Sequence, residues 1–377
     1  MQNEYEVFEK ELEYRPEDAG YDSAKIPAID SHLADLIKQN KLVAAGYLIS
    51  RNEKVIACRS MGKIRPSSSD KAFLPDSIRR IASTTKIITA AAIMQLVERG
   101  KIWVNQPVSE IINEFGNPMH NKITIFHLLT HTSGLRPDPG SFFEPFPEYS
   151  ECYEDNWIKN VLAGSGTIEP GKEWRYSSSG FTVLAEIVSR VSGVNYEDFV
   201  MDNIIKPLGM KDTMFDVHDE LLDRVCLSSE NDEKWFAERN DRPASDPPRG
   251  AGGLYSTMED LQKFGQMMIN KGSLNGVRIL SRKTVESMTR NHLNGIKSYC
   301  WGSGGIEMEY GLGFHVYSNN TFLSPGSFCH EGAGVCGLYM DPVENFVFVY
   351  MCPLAEGVGW QAKAVINLRN VAWSGIL

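Results

Sequence analysis

Strand-like segments stand at both ends of this chain and helix-like segments fill its middle, so a sheet can form only by joining distant stretches around a helical insertion. Residues 45–50 and 55–59 read as two short strands around the polar turn Arg51-Asn52-Glu53-Lys54. Strand signals then fade until 313–317, 337–340 and 346–351, which are aromatic and β-branched and are separated by Gly, Asn or Asp-Pro. In the middle, 85–99, 126–130, 181–191, 196–205 and 258–270 are apolar stretches of helix type, and near the end 361–373 has helical spacing of Ala364, Leu368 and Val371. Thr257, ahead of Asp260, is placed to cap the helix that follows it. The proline-rich stretches 136–148 and 242–249 read as loops.

A length of 377 residues suits two domains, or one large domain carrying an insertion. The 48 acids against 38 bases leave a net charge of −10, which argues against a general nucleic-acid binder or a polybasic membrane binder. The most apolar run, 87–97, is broken by Thr89 and Gln95 and falls short of the roughly 20 residues a membrane span needs. Glu4, Glu6, Glu9, Glu11 and Glu13 crowd the N-terminus, where a signal peptide needs a basic start and an apolar run. The cysteines (Cys58, Cys152, Cys226, Cys300, Cys329, Cys336, Cys352) are scattered without a CxxC pair, as reduced buried thiols would be. Both features predict a cytoplasmic protein.

Three short elements carry chemistry. In Ser83-Thr84-Thr85-Lys86, just ahead of the apolar run, a helix would set Lys86 one turn beyond Ser83 on the same face, about 5–6 Å away between Cβ atoms. A hydroxyl becomes a nucleophile when a base takes its proton, and a lysine serves once its neutral form is accessible. Taken alone, S-x-x-K is a common chance pattern. The second element, Tyr176-Ser177-Ser178, follows a Pro-Gly turn; its tyrosine could pass a proton, or could simply close a helix junction. The third, His330-Glu331-Gly332-Ala333-Gly334, precedes a strand, and an edge strand with glycines can offer a backbone N–H to a substrate. It is no HExxH metal site, because Gly334 stands where the second histidine belongs. His127 and His131 have no acid between them and read as structural.

Together and in order, Ser83-x-x-Lys86, Tyr176-x-Ser178 and His330-x-Gly332 resemble the three motifs of the serine β-lactamase and penicillin-binding protein superfamily. The linking segments 128–135, 250–257 and 310–313 resemble those of its class C-like branch, which includes D-alanyl-D-alanine carboxypeptidases, D-aminopeptidases and esterases. The resemblance implies an α/β fold: an antiparallel sheet from N- and C-terminal segments flanked by helices, plus an all-helical domain, with the active site at their interface. On this chain the first part corresponds to 1–95 and 275–377, and the second to 96–274. The resemblance further implies Ser83 as acyl-forming nucleophile, Lys86 as its proton acceptor, Tyr176 as relay, and the N–H groups of Ser83 and Ala333 as oxyanion hole. No metal or organic cofactor is implied.

Two departures bear on substrate. Ser178 replaces an asparagine that binds acylamides, and His330-Glu331 replaces Lys-Thr, with Glu331 repelling a substrate carboxylate if it faces the cleft. Efficient β-lactam hydrolysis is therefore not expected, and small esters or amides fit better. Ser178, His330, Glu331 and Gly332 are candidate substrate contacts, as are Phe142 and Phe143 of the aromatic loop 136–162 and, at the pocket edge, Trp301. The expected function is a serine hydrolase acting on small esters or amides. The alternatives are a D-amino-acid peptidase, amidase or DD-carboxypeptidase, with Glu331 receiving a substrate ammonium; an acyltransferase; and, from another class, a non-catalytic binding protein.

Overall fold

The computed structural model describes residues 6–65, 69–138, 156–163, 168–237, 246–318, 322–334, 336–355 and 362–377. The hairpin Ala44–Arg51 and Lys54–Arg65 starts the main sheet. It turns tightly because Asn52 and Glu53 both take positive φ, 53° and 66°, the hand that matches strand twist. From one edge the strand order is Phe8–Glu9, Lys54–Arg65, Ala44–Arg51, Phe346–Met351, Cys336–Asp341, Ser327–Gly332 and His315–Tyr317, all antiparallel, with Ser69–Ala72 also paired to Lys54–Arg65. The two chain ends meet at its centre, where Phe346 lies opposite Arg51 and Met351 opposite Gly46.

Both faces are covered, which is why the central strands are almost continuously apolar. Leu48, Leu338, Met340, Val347 and Val349 face a core shared with the helices Thr85–Glu98 and Met258–Ile269. Tyr47, Ile49, Tyr339, Phe348 and Tyr350 face the opposite way, under Lys25–Lys38 and Ala362–Trp373. Lys25–Lys38 was not among the expected helices, although its buried Ile26, Ile29, Leu33 and Leu36 keep helical spacing.

Thr257 caps Met258–Ile269 by accepting the Asp260 N–H at 3.3 Å. This helix falls inside the expected helical region 96–274 yet packs on the sheet. Gly265 allows it, since a Cβ there would stand 2.8 Å from Val347 Cγ1 and 2.9 Å from Leu338 Cδ1. Beyond the sheet, Thr85–Glu98 packs against Ser178–Ser192, and Tyr196–Val200 runs on into a π-helical turn, Met201–Ile205. Among the described residues no helix is long and apolar enough to cross a membrane.

Candidate active site

Ser83 sits on a strained turn between two anchored elements. The strand Arg79–Arg80 is paired to Tyr255–Ser256. Ala82 then takes a φ of 44°, which for a residue with a Cβ costs on the order of 1–3 kcal/mol. A 3₁₀ turn, Ala82–Thr84, leads into the helix Thr85–Glu98. Ser83 therefore precedes the α-helix proper, and the helix still swings Lys86 back to it.

Lys86 is completely buried. Its Nζ lies 3.0 Å from Ser83 Oγ, 3.1 Å from Ser178 Oγ and 2.8 Å from the carbonyl oxygen of Ala251. Burial pulls its pKa down to about 7, against the opposing pull of the Asp138 carboxylate. A neutral amine beside a hydroxyl is thus available near neutral pH.

Tyr176 completes the group from the other side: its hydroxyl is hydrogen-bonded to Ser83, and its ring centroid lies 4.9 Å from Lys86 Nζ. Burial raises its pKa, with the Ser83 contact working the other way, so the phenol stays protonated. His131 positions it, as a structural histidine should. Its carbonyl accepts the Arg175 N–H at 2.8 Å, its Nδ1 accepts the Ser177 N–H at 3.1 Å, and its ring stands 4.4 Å from that of Tyr176. His127, the other member of that pair, caps its own short helix, with Nδ1 accepting the Thr124 N–H at 3.1 Å.

Asp138 is a site residue that sequence reasoning missed. Its carboxylate accepts the Ser178 N–H at 2.5 Å and the Ser178 hydroxyl at 2.6 Å, and its own N–H binds the Tyr176 carbonyl at 2.9 Å. It lies in a proline-rich loop 40 residues from Ser178, with no periodic pattern to mark it. Ser178 consequently spends its one proton on Asp138 while accepting from Lys86.

The third motif divides by strand alternation. His330 and Gly332 face the cleft side of Ser327–Gly332, where Phe328 also points. His330 Nδ1 lies 2.8 Å from the Glu331 carbonyl, which can only accept, so the proton is on Nδ1 and Nε2 is a bare acceptor. Burial, then His315 and Lys86, hold the His330 pKa well below its usual value, so the ring is neutral. Gly332 lies against the nucleophile turn, where a Cβ would come 2.2 Å from the Ile81 carbonyl oxygen. Ala333 follows it, exposed beside that turn.

Glu331 corrects an expectation: it does not line the cleft. Its Oε1 accepts hydroxyls from Tyr339 and Tyr350, the latter at 2.9 Å, on the opposite face of the sheet. The motif strand is also not an edge strand, since His315–Tyr317 lies outside it. That neighbour is short: its last partner is Cys329, opposite His315, so residues 330–332 outrun it and border the cleft.

Trp301, half-exposed with φ 51°, stands 5.3 Å from the Tyr176 ring and 6.0 Å from Trp174. Phe142 and Phe143 lie outside the described residues. Behind Tyr176, His131 Nε2, Trp174 Nε1, Tyr310 Oη and His330 Nε2 are buried without a partner among the described residues, with the Tyr310 ring 5.4 Å from His131 and 5.7 Å from Trp174. Among the described residues no group of three or more His, Cys, Asp or Glu could hold a metal.

The beta-lactamase family model matches residues 29–365. The chain belongs to that family. It is a serine hydrolase of the penicillin-binding-protein-like kind. This family member is 31% identical over 229 residues to the D-alanyl-D-alanine-carboxypeptidase/endopeptidase AmpH of Escherichia coli (strain K12), covering 59% of this chain and 56% of that one. It is 28% identical over 208 residues to Esterase EstB of Burkholderia gladioli, covering 52% and 53%. The solved structure of EstCE1, described as a hydrolase with promiscuous acyltransferase activity, superposes with a TM-score of 0.76 at 19% identity, covering 93% of this chain and 98% of that one.

Proposed function

We propose that this family member is an esterase-type hydrolase that works through an acyl-enzyme on Ser83. The observation that carries the reading is Lys86 Nζ, buried with a pKa near 7 and 3.0 Å from Ser83 Oγ. Ser83 Oγ bonds to the substrate carbonyl carbon while its proton passes to neutral Lys86. The carbonyl electron pair moves onto oxygen, where the N–H groups of Ser83 and Ala333 receive it. Collapse expels the alkoxide, which takes the Tyr176 proton, and the Lys86 ammonium restores the phenol. Water then repeats the cycle, giving its proton to Lys86 and its oxygen to the carbonyl carbon, and Ser83 leaves with a proton relayed by Tyr176.

Ester substrates are favoured because neutral His330 offers a lone pair, not a positive charge, to the leaving half. The likeness to EstB points the same way. A small activated ester should give a burst of product and an acyl adduct on Ser83 by intact-mass spectrometry. A Ser83→Ala variant should lose about three or more orders of magnitude in turnover, and its retention of full activity would defeat the reading.

The likeness to AmpH supports a second reading, a D-amino-acid peptidase or carboxypeptidase, although Glu331 no longer contributes to it. Release of D-alanine from a D-alanyl-D-alanine peptide separates it from the first. Acyl transfer uses the same residues, and an alcohol acceptor trapped as a new ester would reveal it. A reducing, cytoplasmic setting goes with these readings, since Cys58, Cys226, Cys300, Cys329, Cys336 and Cys352 are buried and form no disulfide among the described residues.

A further inference from the structure

The short strand Lys297–Ser298 runs parallel to Glu173–Trp174 and antiparallel to Ile306–Glu307, so the connection 299–305 is fastened to the segment that leads to Tyr176. Ser298 locks that connection. Its hydroxyl accepts the Cys300 N–H at 3.1 Å, and its carbonyl accepts the Ser303 hydroxyl at 2.6 Å and the Gly305 N–H at 3.1 Å. Gly304 and Gly305, at φ 70° and 82°, let the chain double back. Tyr299 lies over Gly305, where a Cβ would come 2.9 Å from Tyr299 Cε1.

Trp301 sits in this locked connection at φ 51° and ψ 34°, a left-handed conformation that suits glycine or asparagine and not a bulky side chain. The indole stays 49% exposed, so burial offsets only part of that strain. Its ring meets those of Tyr176 and Trp174 at 5.3 Å and 6.0 Å, with interplanar angles of 53° and 60°, so neither of the two stacks flat upon it. Tyr299 and Ile306, at the two ends of the connection, are exposed as well. A strained backbone that holds a half-exposed aromatic against a reacting group is the arrangement of a ligand clamp.

In the proposed acylation the bond between the carbonyl carbon and the leaving oxygen breaks, and that oxygen takes the Tyr176 hydroxyl proton. The alcohol half of the ester is therefore the part that lies against Tyr176, and Trp301 is an exposed ring next to it. We infer that Trp301 determines specificity for the alcohol half, stacking on an aromatic ring carried by a short linker from the leaving oxygen. This rests on the hydrolase reading of Ser83 and Tyr176 and names its substrate class, the esters of arylalkyl alcohols.

The test compares 2-phenylethyl acetate with 2-cyclohexylethyl acetate, which share an acyl-enzyme and have alcohols of similar size and acidity. Their kcat/KM values then differ only through the alcohol half during acylation. The wild-type enzyme should favour the phenylethyl ester by about fivefold or more, although the cyclohexyl group is the more hydrophobic. Trp301→Gly, which suits the left-handed backbone, should bring the two esters to about equal kcat/KM. Trp301→Leu, which keeps an apolar side chain in case the glycine variant does not fold, should do the same, and Trp301→Phe should retain most of the preference. The ratio between methyl phenylacetate and methyl cyclohexylacetate, which differ on the acyl side, should stay the same in every variant. Absence of the wild-type preference, equal losses on both acetates, or a shift in the acyl-side ratio would overturn the assignment. Failure of every ester to leave an acyl group on Ser83 by intact-mass spectrometry would instead strike the hydrolase reading beneath it.

Discussion

A lysine amine acts as a base only while it is neutral, so in the proposed mechanism the environment of Lys86 sets the pH at which the Ser83 hydroxyl is activated. Because burial brings its pKa to about 7, kcat/KM for a neutral ester should climb as pH rises through about 7 and then level off. The same depression has a stability consequence. Between about 7 and the ordinary 10.5, the unfolded chain binds a proton at this residue that the folded one does not, so Lys86 makes folding stability rise with pH across that window. Asp138 works against burial, raising the Lys86 pKa. An Asp138→Asn variant should therefore move the ascending limb of the pH–rate profile to lower pH. A limb that stays in place would mean that Asp138 serves only to tether Ser178 and the Tyr176 backbone.

At the scale of elements, the proposed mechanism depends on how closely the strand Ser327–Gly332 approaches the turn that carries Ser83. Gly332 sets that distance, because a side chain there would collide with the Ile81 carbonyl. Gly332→Ala should cost about 1–3 kcal/mol of stability by denaturant titration. It should also lower kcat by about tenfold or more as Ala333 is pushed away from the oxyanion position. This strand was not foreseen as such: its His-Glu-Gly end was expected to precede a strand and instead closes one. Small residues carry little strand propensity, and Ser327–Gly332 is held by pairing on both sides. The strand Phe346–Met351, rich in aromatic and β-branched residues, was legible to the residue.

Across the whole molecule, the sheet separates chemistry on one face from support on the other. Glu331 belongs to the support, receiving the Tyr339 and Tyr350 hydroxyls. Glu331→Gln should lower the melting temperature through about 1–3 kcal/mol of weakened hydrogen bonding, measured by calorimetry. Its kcat/KM on a small neutral ester should not change below the melting transition, and a change would return this carboxylate to the cleft. The six described cysteines are buried, and burial raises the pKa of each. They should therefore react with a thiol reagent only after unfolding.

The family resemblance of Ser83-x-x-Lys86, Tyr176-x-Ser178 and His330-x-Gly332, not local order, grouped Ser83, Lys86 and Tyr176, whereas local pattern was enough to anticipate most helices and the central strands. Helix and strand periodicity, and residues a few positions apart, are written directly into the sequence. The face on which Glu331 lies, the arrival of Asp138 from a distant loop, and the packing of Met258–Ile269 on the sheet came only with the tertiary structure. A strand sends successive side chains to opposite faces, and which face becomes the cleft is decided by the elements that close over it. The same holds for the pKa of Lys86, which comes from burial by segments far from it in sequence.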